Sequence, residues 1–199
     1  MQDTYKSIKS PCEGFFKDRG SKFYAYAYPV QNEEEIKEIL ASIKKEHHSA
    51  RHHCYAWRLG KEKINHRAND DGEPSYTAGK PILNQLEKFK VTNILLIVVR
   101  YFGGTLLGKS GLINAYRTAT ADALIKAEII TYQIEITYRL TYSYNSINEV
   151  MKIINQENLN IIDNQFKAYC QLDFSVRKSK AARIEKIFNQ FEEIEIKKI

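Results

Sequence analysis

Glycine and proline are missing from the whole carboxy-terminal part of this chain. All nine glycines fall at or before Gly111 and all four prolines at or before Pro81, so Gln133 to Ile199 contains neither. Such a shift in the residues that punctuate a chain predicts two domains, 1–130 and 131–199, with no flexible linker between them. Long apolar runs are missing too. No stretch of about 18 apolar residues exists, which excludes a transmembrane helix and a membrane partner. The stretch from Met1 to Pro11 is polar and lacks the apolar core of a secretory signal. Cysteine is scarce: Cys12, Cys54 and Cys170 are an odd, widely spaced set. They read as free thiols of a reducing, cytoplasmic compartment rather than a disulfide framework. Charge of one sign is only modestly in excess. A formal +6 permits binding to nucleic acid or the ribosome without requiring it. There is no internal repeat and no low-complexity segment.

What is present predicts an α+β protein. In the second part, Ile134, Ile136, Tyr138, Leu140 and Tyr142 alternate with polar residues, as in a half-buried strand. Ser146 and Glu149 are spaced as a capping box, with Ile147, Val150, Met151 and Ile154 on one helical face. Strands follow near 159–166 and 169–176. Ser179 is placed to cap a second helix with a stripe of Ile184, Ile187, Phe188 and Phe191, and Ile194 and Ile196 mark a last strand. The order β-α-β-β-α-β is that of a ferredoxin-like domain. In the first part, Phe15–Lys17 and Lys22–Tyr28 read as strands joined at Asp18-Arg19-Gly20. Asn32 caps a helix with Glu33, Glu34 and Glu35 in its first turn and Lys44 and Lys45 in its last, an order that suits the helix dipole. His53–Leu59 and Lys63–Arg67 read as a hairpin turning at Gly60. Ile94 to Val99 is a strand covered on both faces.

The chemistry concentrates between Asn69 and Arg117. Gly103-Gly104-Thr105-Leu106-Leu107-Gly108-Lys109-Ser110 spells a phosphate-binding loop, after a strand and before a helix. Three features argue against a working nucleoside triphosphatase. The pattern after the helix lacks further parallel β-α units. No later apolar strand ends in a convincing metal-holding aspartate. Arg100-Tyr101-Phe102 separates the strand from the loop.

Asp70-Asp71-Gly72-Glu73-Pro74-Ser75, Thr77-Ala78-Gly79-x-Pro81, Arg100-Tyr101-Phe102-Gly103-Gly104 and Leu107-Gly108-x-x-Gly111-Leu112 resemble the signature of the YigZ/IMPACT family. His53-Cys54-Tyr55-Ala56 is similar to a further family segment. The resemblance covers most of residues 10–125. It implies a first domain of mixed α/β fold like domain IV of elongation factor G and the GHMP small-molecule kinases. It also implies a second domain like domain V of that factor. The family's eukaryotic members regulate translation and associate with ribosomes, and nucleic-acid binding is inferred for bacterial members from fold. The expectation is therefore a regulatory protein, not a catalyst, whose partner is RNA, the ribosome or a translation-machinery protein. Neither a cofactor nor a metal is implied. Four positions depart from the pattern: Tyr76 and Ser110 stand where glycine is usual, Asn114 where arginine is usual, and Arg117 where glycine is usual.

Two sets of candidate residues follow. Gly103, Gly104, Gly108 and Gly111, with Arg100, Lys109, Arg117 and the amino end of the following helix, can hold an anion or an RNA backbone. Alternatively the glycines only let the loop pack. Asp70, Asp71 and Glu73 form an acidic turn expected to face that loop. They can act as acid/base groups or metal ligands, and would then support a phosphate-ester hydrolase or kinase-like enzyme. Alternatively they accept loop N–H bonds or pair with Arg100, for which Asp70 or Asp71 is the expected partner. A pure protein-interaction module is the third reading. His47, His48, His52, His53 and His66 lack a recurring ligand spacing. Tyr24, Tyr26 and Tyr28 can stack bases or be covered by the Ile36–Ile43 helix.

Overall fold

The computed structural model describes residues 3–166 and 169–199; Met1 and Gln2, the start of the polar amino terminus, lie outside the described residues. The chain divides into two compact units, Tyr5–Tyr132 and Gln133–Ile199 with Met1–Thr4. Among the described residues the secondary structure is mixed, with three sheets and five α-helices.

The larger unit holds a five-stranded antiparallel sheet in the order β2 (Cys12–Asp18), β3 (Ser21–Pro29), β6 (Ile94–Tyr101), β4 (His52–Leu59), β5 (Asn65–Asn69). The central strand β6 has both faces covered, as its apolar run predicts. Ile94, Leu96 and Val98 enter a core with α2 (Gly79–Lys88) and α3 (Gly108–Lys126). Leu95, Ile97 and Val99 enter a second core under α1 (Glu33–Glu46). The alternation on β3 matches: Phe23, Ala25 and Ala27 are buried with α3, and Tyr24, Tyr26 and Tyr28 pack on the α1 side. Helix α1 starts where expected. Asn32 Oδ1 accepts the Glu35 N–H at 2.9 Å, and Glu35 Oε2 accepts the Gln31 N–H at 2.8 Å.

One element was not legible in the sequence. β1 (Thr4–Ile8) pairs with β7 (Ile129–Gln133) as a separate two-stranded sheet, and the Tyr5 and Tyr132 rings stack at 5.2 Å.

In the smaller unit β8 (Glu135–Tyr142), α4 (Ile147–Gln156), β9 (Asn160–Phe166), β10 (Cys170–Arg177), α5 (Lys178–Phe188) and β11 (Ile194–Lys198) follow the β-α-β-β-α-β order. The sheet is antiparallel in the order β11-β8-β10-β9, and Tyr138, Leu140, Leu172 and Phe174 meet Val150, Ile154, Ile184 and Phe188 in its core.

Both helix caps expected here are corrected. Ser146 ends a short 3-10 turn, with φ −90° and ψ 0° instead of the extended backbone a cap needs, and makes no side-chain cap bond. Its hydroxyl donates to Glu193 Oε2 at 3.0 Å. Ser179 lies inside α5, one residue past its start, and receives the cap instead of giving it: its N–H donates to Asp3 Oδ1 at 2.9 Å. Arg177 Nε also reaches the Asp3 carboxylate. Hydrogen bonding from Ser179, with a contribution from Arg177, holds the Asp3 carboxyl below its usual pKa.

Cys12, Cys54 and Cys170 are free thiols. Among the described residues no helix is long and apolar enough to cross a membrane.

Helix α3 rides very close to β2. A Cβ on Gly14 would lie 2.4 Å from the Ala123 nitrogen and 2.7 Å from the Ala119 carbonyl oxygen, both backbone atoms that cannot swing away. Gly14→Ala is therefore expected to destabilise the fold by about 1–3 kcal/mol, the cost of overpacking, read as a lower urea midpoint at unchanged slope.

Candidate functional site

Strand alternation carries a charge into the core. Arg100 follows Ile94, Leu96 and Val98 on the face covered by α2 and α3, and only 6% of it is exposed. Its Nη1 meets Glu73 Oε1 at 2.7 Å. The same oxygen accepts the hydroxyl of Tyr116, fully buried on α3, at 2.8 Å. The guanidinium lies 5.5 Å from the Phe23 ring centre and 5.6 Å from that of Phe102. Arg100 Nε is buried without a hydrogen-bond partner. Beside this group, Cys54 Sγ contacts the Asp70 carbonyl at 3.0 Å and the Tyr116 hydroxyl at 3.3 Å. Burial pushes both the Cys54 thiol and the Tyr116 phenol far up, so Cys54 stays protonated and is not a nucleophile.

The acidic turn is spent on structure. Asp70 Oδ1 accepts the N–H groups of Ala78 at 3.0 Å and Gly79 at 2.8 Å, and Oδ2 that of Tyr76 at 2.9 Å. It thereby caps the start of α2, whose own cap position, Ala78, has no side chain that can do so. Asp71 Oδ2 accepts the His53 N–H at 2.8 Å, and Oδ1 lies 3.5 Å from Lys44 Nζ. The expected pairing of Arg100 with Asp70 or Asp71 is thus corrected: both carboxylates are committed to other donors, and Glu73 takes the arginine. Tyr76 has φ +65° and is 76% exposed. The backbone here is in the left-handed region that favours glycine, and a bulky side chain carries the strain.

The turn and the glycine loop meet at a cleft of about 480 Å³. Glu73, Pro74 and Arg100 line it from one side, and Leu106, Leu107, Gly108, Lys109 and Leu112 from the loop and α3; Phe102, Arg51 and His52 complete it. The inner residues Glu73 and Arg100 are buried, while Arg51 and Lys109 are exposed. Helix α3 begins at Gly108 without a side-chain cap bond, so its first N–H groups have no side-chain acceptor there.

Not every candidate belongs to this cleft. Gly103 is used for packing: a Cβ there would fall 1.9 Å from the Gly20 carbonyl carbon in the β2–β3 turn. Gly104 faces open space with positive φ, and a Cβ on Gly111 would press on Leu107 Cβ at 2.9 Å. Arg117 points elsewhere on α3 and donates to Asn114 Oδ1 at 2.6 Å. Arg100 is corrected from a free cation to half of a buried ion pair. The phosphate-loop spelling sits on an antiparallel sheet with one of its glycines committed to packing. Sequence reasoning did not place Arg51, His52, Phe102 or Tyr116 in the site, although Phe102 falls in the Arg100–Gly104 segment that carries the family resemblance and His52 among the histidines weighed for a metal. Tyr116 had a signal in its i, i+4 spacing from Leu112, and Arg51 had none.

On the opposite face His47 is held between two phenols, with Nε2 2.8 Å from the Tyr26 hydroxyl and Nδ1 2.9 Å from that of Tyr101. Among the described residues no group of three or more His, Cys, Asp and Glu is arranged to hold a metal ion.

A family model for the Impact N-terminal domain matches residues 19–124. The chain belongs to the IMPACT family. Among its relatives, an IMPACT family member of Haemophilus influenzae is 36% identical over 157 residues, covering 76% of this chain and 75% of that protein. The IMPACT family member YigZ of Escherichia coli is 34% identical over 164 residues, covering 81% and 80%. A crystal structure described as that of a hypothetical protein superposes with a TM-score of 0.73 at 28% identity, covering 100% of this chain and 98% of the other. The residues matched by the family model, 19–124, include the acidic turn, Arg100 and the glycine loop, so the whole lining of the cleft lies within that domain.

Two measurements check the electrostatics of the site. Glu73→Ala leaves Arg100 buried and unpaired, and is expected to cost about 3–5 kcal/mol in urea unfolding; the double variant Glu73→Leu, Arg100→Met should recover part of that loss. His53 is buried, and desolvation lowers its pKa below 6.5. Below 6.5 the unfolded state binds the proton more readily, so the stability present at neutral pH is lost as pH falls through this range. The urea midpoint should be lower at pH 5.5 than at pH 7.5, and His53→Gln should narrow the difference.

Proposed function

We propose that this IMPACT family member is a non-catalytic, translation-associated regulatory protein that binds RNA, the ribosome or a translation-machinery partner in the cytoplasm through the cleft between the acidic turn and the glycine loop. In this reading residues 1–130 form an IMPACT-type domain resembling domain IV of elongation factor G, and residues 131–199 a ferredoxin-like domain resembling its domain V. The sheet order β11-β8-β10-β9 supports the second assignment.

The observation that carries the reading is the division of labour among the charges. Asp70, Asp71 and Glu73 already accept hydrogen bonds or ion pairs within the fold. That argues against the hydrolase or kinase-like alternative, because no carboxylate of the turn is held ready for proton transfer. The exposed cations Arg51 and Lys109 line the same cleft as the uncapped start of α3, an arrangement suited to phosphate. The exposed Phe102 and Leu106 also suit a protein partner, which keeps the interaction-module alternative in the test.

Fluorescence anisotropy with a generic single-stranded RNA at several salt concentrations tests this reading. Each phosphate neutralised contributes a slope of about −0.7 in log affinity against log salt. Replacing Arg51, Lys109 and Arg117 by alanine should reduce the slope by up to about two units, with Arg117 contributing least because it lies outside the cleft lining. An unchanged slope would move the binding surface elsewhere, and no binding at low salt would favour the protein-interaction module.

A further inference from the structure

We propose that the cleft accepts a single nucleotide unit with its base unstacked, the ring lying against Phe102 and its phosphate at the amino end of α3 beside Lys109 and Arg51. The inference deepens the RNA-binding reading and rests on it.

Three independent features point to this ligand. First, the size suits it: about 480 Å³ lies within the roughly 300–1,000 Å³ of small-ligand sites and is far less than a helix or a strand of a partner would fill. Second, the lining is divided as a nucleotide is. Phe102, Leu106, Leu107 and Leu112 supply apolar surface, and Arg51 and Lys109 supply cations. Phe102 is 50% exposed, so half of a large ring is left for a planar partner, and every base offers a π-face to it. Third, polar groups await an acceptor. The first N–H groups of the 19-residue helix α3 have no side-chain cap. Arg100 lines the cleft too, and its side chain carries hydrogen-bond donors and no acceptor. An acceptor-rich base edge suits the wall that it forms beside Glu73.

The nucleotide unit can come from single-stranded RNA or from a free nucleoside monophosphate, and the test has an arm for each. Anisotropy with a short labelled RNA should show Phe102→Ala weakening binding about 5- to 150-fold, the range for one stacked base, without changing the salt slope. Lys109→Ala should instead reduce the slope, and Phe15→Ala, an exposed ring outside the cleft, should change neither. Phe102→Leu keeps the bulk without the ring and replaces Phe102→Ala if that variant has a lowered urea midpoint. An RNA containing an abasic residue at every position should bind wild type as weakly as intact RNA binds Phe102→Ala. In the second arm, calorimetry with the four nucleoside monophosphates reports binding lost in Phe102→Ala. If RNA binds with a cation-dependent slope but equally well to wild type and both Phe102 variants, the inference is overturned and the RNA-binding reading stands. If only the free nucleotides bind, with the Phe102 dependence, the inference holds and the RNA reading fails. If neither binds, both fall.

Discussion

Strand β6 carries six consecutive apolar residues, Ile94 to Val99, none of which retains any exposed surface, so it can exist only where both faces of its sheet are covered. Each such side chain contributes on the order of 1.5–3 kcal/mol when fully buried. That requirement organises the whole larger unit. Helix α1 covers one face, and α2 and α3 cover the other. The tight approach of α3 to Gly14 follows from the same demand, because a strand with no polar face leaves no room for water between the layers.

The alternation that buries β6 continues one step too far for apolar chemistry. Arg100 inherits the inward position, and the fold answers with Glu73, Tyr116 and two aromatic rings. A buried pair of this kind adds little net stability compared with an apolar substitute, but losing one partner is severe. It therefore ties three distant segments together: the turn after β5, the end of β6 and the middle of α3. The cleft opens where these segments meet. Its shape is thus set by core electrostatics, while Leu106 and Lys109 on its rim are exposed and Phe102 both packs on Arg100 and keeps half of its surface open.

Much of this was legible in the sequence, for physical reasons that can be named. A six-residue apolar run admits only a doubly covered strand, and Asn32 with three following glutamates and two later lysines writes out both ends of α1. The order of elements in the smaller unit follows from its alternating and helical periodicities. What escaped depends on partners far apart in the chain. Ser146 and Ser179 sit at positions where a local cap is expected, yet Glu193 and Asp3 decide their bonding. The pairing of β1 with β7 leaves no periodic trace in either segment. At the site, the acidic turn and the glycine loop were recognisable as a pair, but not which carboxylate would reach Arg100. That depended on Asp70 and Asp71 being claimed by backbone donors nearby. Nothing tied Arg51 or His52 to the loop, since only the sheet register, Arg100 opposite His52, places them beside it.

The bond from Ser179 to Asp3 has a consequence for how the molecule is made. Asp3 and Ser179 stand 176 positions apart, so synthesis delivers the acceptor long before its donor. The first turn of α5 cannot take this cap from its own neighbourhood in the sequence. A cut anywhere between the two residues separates the helix from the carboxylate that closes it.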